Sequence, residues 1–167
     1  QVSEKGYTFI QTNTLKGERL SNQTLENNEL IQVLIQIGKQ KVATDRTYST
    51  VLETCFAHGD FCPWNMMKTR GKLKVFDWEM AGIYPVGYDL FTYLFQTSFL
   101  LTPNVNIETI LKQQEELITK VFMAFEIEYW QPYLLSFANV KFELEAKKKD
   151  KKLVAFYQNL KSYAEKI

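Results

Sequence analysis

A chain of 167 residues, 46% hydrophobic and 14% aromatic, can bury one sizeable core, with about 70% of its unfolded surface removed from water when compact. A net charge of +1 gives no global basis for binding nucleic acid or an anionic membrane. With two cysteines, no signal-like amino terminus and no apolar run of membrane-spanning length, a soluble protein of a reducing, cytoplasmic compartment is expected.

In chain order, the first signal is residues 7–12, which alternate apolar and polar side chains as a half-buried strand does. Residues 15–18, Leu-Lys-Gly-Glu, read as a turn. From 26 to 37 the apolar residues fall at 30, 31, 34 and 37, one face of a helix, and Gly38 is a natural stop. This helix is expected to pack under the loop that begins at His58. Residues 41–50 are polar and turn-rich, a surface connection.

The most informative segment runs from His58 to Glu79, HGDFCPWNMMKTRGKLKVFDWE. An apolar strand at 55–57 leads into His-Gly-Asp, and Asn65 follows Asp60 by five residues. Residues 66–69 and 73–76 read as two short strands around Arg70-Gly71, a hairpin that folds Asp77 back beside Asn65. In protein kinases the catalytic loop runs HRDxxxxN and a metal-binding Asp follows. Here Gly59 stands where those enzymes have Arg, and HGDxxxxN followed by DWE resembles the aminoglycoside phosphotransferase and choline kinase group, which phosphorylates small-molecule alcohols on a kinase-like fold.

The residue types suit that chemistry. A hydroxyl attacking a γ-phosphoryl group needs an acceptor for its proton, and a carboxylate on a rigid loop serves, which gives Asp60 the role of base. Mg²⁺ prefers oxygen ligands and is usually held by one or two protein groups plus phosphates, which gives Asn65 and Asp77 the metal and the nucleotide, ATP or GTP. Glu79 reads as a supporting neighbour of that site. A metal-dependent hydrolase fits poorly, because His58 is the only histidine and imidazole is the commonest ligand of such sites. His58 is instead expected to bond backbone with a ring nitrogen and fix the approach to Asp60. Cys55 and Cys62 lack zinc-ligand spacing and read as a core residue and a loop residue near the site.

Residues 80–88 contain Gly82, Pro85 and Gly87 and read as a shaped loop. Asp89 then opens an aromatic helix in GYDLFTYLF, with the apolar cluster at 90–101 as a buried core helix. The resemblance implies that Asp89 buttresses the catalytic loop; its position alone equally suits an N-cap. Ile107, Ile110, Leu111, Leu117, Ile118, Val121, Phe122 and Phe125 form one stripe with Asn106 as cap, and two more helices are expected over 133–148 and 151–166. The lysines of 147–152 read as a solvated helix junction. Trp64, Trp78, Tyr84, Tyr88, Tyr129 and Trp130 include candidates for an ammonium-binding cage.

The expected fold is therefore α+β, mainly α: a kinase-like large lobe with a catalytic-loop β-hairpin and most of the small amino-terminal lobe absent. The resemblance implies that residues 1–17 are the last small-lobe strand and hinge, with 13–17 meeting adenine, and 18–167 the helical lobe. The chain opens at Gln1 rather than Met, as expected of a processed form or a piece of a longer protein; alone it is expected to be an inactive fragment. Its partner would be a small-molecule alcohol, with self-association through the unpaired strand at 7–12. The competing reading is a catalytically silent binding or scaffolding remnant.

Overall fold

The computed structural model describes residues 2–4, 7–9, 17–20, 25–39, 52–101, 106–148 and 150–167. Residues 13–16 of the hinge expected at 13–17, and the surface connection at 41–50, lie outside them. Strands β1 (Val2–Glu4) and β2 (Tyr7–Phe9) pair antiparallel, so one edge of the strand expected to be open is occupied. Residues 10–12 of that expected strand lie outside the described set.

Strand β3 (Glu18–Arg19), which the sequence reading leaves as a turn, pairs antiparallel with β5 (Met66–Thr69), itself paired with β6 (Lys72–Val75). Arg70 and Gly71 join β5 to β6 at φ values of 50° and 72°, as a two-residue hairpin turn requires. Helix α1 (Asn27–Gly38) buries Leu30, Leu34 and Ile37 against the rest of the core, with Ile31 half-buried beside them. Its end agrees with expectation. Gly38 is the last helical residue, and it must be small because the Phe125 ring occupies the space a side chain would take. Helix α1 reaches the hairpin through Glu29 and Lys68, paired at 2.9 Å, a partly exposed contact of small energetic weight.

Strand β4 (Thr54–Ala57) pairs antiparallel with β7 (Gly82–Pro85), with Cys55 opposite Tyr84 and Ala57 opposite Gly82. The segment expected to be wholly loop thus contains a strand. Gly82 and Pro85 are tolerated because they sit at the ends of an edge strand, where a missing donor or side chain costs little.

Beyond Gly87, at φ 84°, one continuous helical segment runs through α2 (Tyr88–Phe91), a π turn (Thr92–Gln96) and α3 (Thr97–Leu101). It is the expected core helix over most of its length, although Leu100 and Leu101 are exposed. Phe91, in its first turn, has the ring centroids of Phe122 and Phe137 at 5.7 and 5.6 Å. Each such ring buried contributes roughly 2–3 kcal/mol by area.

Three longer helices complete the fold: α4 (Ile107–Met123), α5 (Gln131–Lys148) and α6 (Lys151–Ala164). Asn106 caps α4, its Oδ1 accepting from the Glu108 N–H at 2.8 Å, and Asp150 caps α6 in the same way. Lys147, Lys148, Lys151 and Lys152 are exposed around that junction. The architecture is mainly helical with small antiparallel sheets. No helix among the described residues is long and apolar enough to cross a membrane.

Candidate active site

Strand β4 delivers the chain to His58, whose N–H donates to Asp89 Oδ2 at 2.7 Å; the next N–H, of Gly59, donates to Asp89 Oδ1 at 2.9 Å. Asp89 is buried in the first turn of α2, and burial raises its pKa while the two backbone donors oppose that rise. It makes no helix cap: Gly87 occupies that position, so the N-cap reading of Asp89 is set aside. Gly59 is held at φ 84°, and a Cβ there would collide with the Met80 carbonyl. This explains why a loop of this shape has glycine where kinases have arginine.

His58 is fully buried and serves as a clamp. The Asp60 N–H can only donate, so Nδ1 accepts it at 3.3 Å, and Nε2–H is left to donate to the Phe76 carbonyl at 2.9 Å. The ring therefore joins the start of the loop to the residue before Asp77. The Trp78 ring packs against it, centroids 4.7 Å apart.

The 3-10 turn Pro63–Asn65 places the buried Asn65 side chain under Asp60. Its Nδ2 donates to the Asp60 carbonyl at 2.8 Å and to Asp60 Oδ2 at 2.9 Å. This commitment turns the amide oxygen away from Asp60. The Phe76 N–H donates to the Asn65 carbonyl at 3.0 Å, which closes the base of the hairpin as the sequence predicts. Asp77 follows in the left-handed region at φ 67°, exposed, and leads into a 3-10 turn (Trp78–Met80) on which Glu79 is also exposed. A non-glycine residue held at positive φ costs of order 1–3 kcal/mol, a strain typical of residues aimed for function.

Two residues of the site were not found by sequence reasoning. Gln96 Nε2 donates to Asp60 Oδ1 at 2.9 Å, and Lys141 Nζ donates to Gln96 Oε1 at 3.2 Å. The available signal was a polar residue on each apolar stripe: Gln96 interrupts the core helix, and Lys141 falls four residues after the buried Phe137. Burial lowers the pKa of Lys141, with the negative charge of Asp60 the largest opposing influence. Cys62 is buried with its Sγ 3.9 Å from Asp60 Oδ1, and burial together with that carboxylate pushes its thiol pKa up. Burial likewise pushes the half-buried Cys55 thiol up to about 12, so neither is a poised nucleophile.

Among the described residues no group of three or more His, Cys, Asp or Glu side chains converges as a metal cage. Of the aromatic set, Tyr84 and Tyr88 stack at 4.1 Å, Tyr129 is exposed, and Trp130 packs beside Phe91, so the set does not form one cage.

The sequence model of the phosphotransferase enzyme family, APH, matches residues 11–116, more than half of the chain. The chain belongs to this phosphotransferase family. The matched segment contains the whole constellation from His58 to Asp89 together with Gln96, while Lys141 on α5 lies beyond it. No curated protein and no solved structure matches the chain.

Because both Asp89 oxygens accept backbone N–H groups, Asp89→Asn would leave one donor facing an NH₂ group. The substitution is expected to cost about 1–3 kcal/mol, the usual penalty for an unsatisfied buried donor. It should also speed hydrogen exchange at the His58 and Gly59 amides. Exchange measured by NMR checks this, and amides as slow as in the wild type would show that Asp89 does not hold the loop.

Proposed function

We propose that this phosphotransferase is kinase-like, its described residues forming the helical lobe that carries the catalytic loop, and that it moves the γ-phosphoryl group of ATP or GTP to the hydroxyl of a small molecule. The observation that carries this reading is the Asn65 side chain, which grips Asp60 on one side and offers its oxygen on the other, at the closed base of the hairpin that presents Asp77.

In this reading Asp60 orients the acceptor hydroxyl and takes its proton as the acceptor oxygen bonds to phosphorus and the bond to the leaving nucleotide oxygen breaks. Asp60 is half-buried, and its carboxylate oxygens accept from Asn65 and Gln96. Asn65 and Asp77 fit Mg²⁺ as hard oxygen donors. Two protein ligands rather than a full cage suit a cation that arrives with its nucleotide and keeps phosphate and water in its shell. When bound, Mg²⁺ neutralises charge on the phosphates. The chain's own contribution is positioning, through the His58 clamp, the Asp89 buttress and the hairpin. Glu79, exposed two residues beyond Asp77, would act as a support on the same rim.

Asp60→Asn in the full-length protein is expected to lower turnover by roughly two to four orders of magnitude, the worth of a positioned general base, with nucleotide affinity nearly unchanged. Single-turnover transfer at a near wild-type rate would remove Asp60 from the chemistry. Asp77→Ala should instead abolish metal-dependent nucleotide binding while the fold persists, because the charged metal ligand is lost. Calorimetric titration of nucleotide with and without Mg²⁺ checks it, and an intact metal dependence would make Asp77 a structural residue.

A further inference from the structure

Beneath the loop the structure buries an ammonium group for which the chemistry above has no use. Lys141 is 6% exposed, and among the described residues its side chain enters no ion pair. Its Nζ lies 5.3 Å from the Tyr88 ring centroid and 5.8 Å from that of Phe137, with its hydrogen bond given to Gln96. The charged and titratable groups that face it are Asp60, Cys62, Tyr88, Asp89, Glu145 and Lys148. A buried cation without a direct counter-ion is a poor way to stabilise a core, since a hydrocarbon chain of similar volume would fill the space at lower desolvation cost. The aromatic faces offset part of that cost but give no reason for the charge.

We propose that Lys141 and Gln96 form a relay that positions the Asp60 carboxylate from inside the fold, a role that rests on Asp60 being the base of the transfer. An ammonium only donates and a carboxylate only accepts, so a primary amide between them bridges in one orientation, Oε1 toward Lys141 and Nε2–H toward Asp60. The amide cannot flip without losing both bonds. Lys141 thereby fixes which face Gln96 presents, and Gln96 fixes Oδ1 while Asn65 fixes Oδ2. With both oxygens tied, the plane of the carboxylate is set.

The interposed amide also matters chemically. An ammonium in direct contact with Oδ1 would oppose protonation of the base, whereas the amide supplies a donor and keeps the full charge a side chain away. The backbone agrees with this aim. Gln96 is the last residue of the π turn Thr92–Gln96, a local widening of the helix that is frequent at functional sites. Lys141 lies outside the family-matched segment, so its side of the relay is supplied by a helix that the family model does not reach.

The test uses the full-length protein with MgATP, and water as the acceptor. Lys141→Met and Gln96→Glu are each expected to lower kcat for ATP hydrolysis roughly 10- to 100-fold, the scale of a small misplacement of a catalytic group, with KM for ATP nearly unchanged. Gln96→Glu would pair directly with Lys141 but set an acceptor against Asp60 Oδ1, so it removes the tie on that oxygen even if Lys141→Met fails to fold. Independently, the Lys141 ε-methylene signals followed by NMR through a pH titration should shift to lower pKa in Asp60→Asn, which removes the opposing negative charge. Wild-type kcat in both relay variants, alongside a slow Asp60→Asn, would overturn the relay. So would a Lys141 titration indifferent to Asp60→Asn. Wild-type hydrolysis by Asp60→Asn would instead refute the base assignment, leaving the titration to decide the relay.

Discussion

The site depends first on a buried carboxylate that cannot be left unpaired. Two consecutive backbone N–H groups, of His58 and Gly59, point inward at the end of β4, and Asp89 accepts one on each oxygen. A buried donor without a partner costs as much as several good contacts return, so this pair of bonds ties the loop to the start of α2. Because α2 opens the core helix that carries the fully buried Phe91 and Phe95, the loop is referenced to the hydrophobic core.

The remaining geometry builds outward from that tie. Gly59 is held left-handed, Met80 leaves no room there for a side chain, and Asp60 follows directly. His58 connects the loop to the Phe76 carbonyl, and Phe76 connects back to Asn65, so the two arms that end in Asp60 and Asp77 cannot move independently. Positive φ at Asp77 is the local cost of presenting its carboxylate at the rim. Preorganisation of this kind is what phosphoryl transfer asks of a protein, since positioning and electrostatics supply most of the catalysis.

The loop and hairpin were legible in the sequence because their signals are local: an apolar strand, fixed spacings and an Arg-Gly turn, each readable within a few residues. Helix α4 was legible for the same reason, through its apolar stripe and the cap Asn106, and α5 and α6 were expected close to where they lie, whereas the cap Asp150 was not read. What escaped was set by tertiary context. Strand β7 was hidden by its Gly and Pro, which an edge position tolerates, and β3 is too short to show alternation. Gln96 and Lys141 come from helices 45 residues apart and meet only when α5 packs against α2, so their sole trace was a polar residue on an apolar stripe. Asp89 was recognised as important but could not be told from an N-cap until its partners were visible.

The central claim is that Asn65 and Asp77 together face a metal-bound nucleotide beside Asp60. Paramagnetic line broadening of backbone amide signals by Mn²⁺–ADP in the full-length protein tests it most directly. The expected result is broadening strongest at Asn65 and Asp77 and weaker at the buried Asp89. Broadening centred elsewhere, with the signals of Asn65 and Asp77 left sharp, would contradict it.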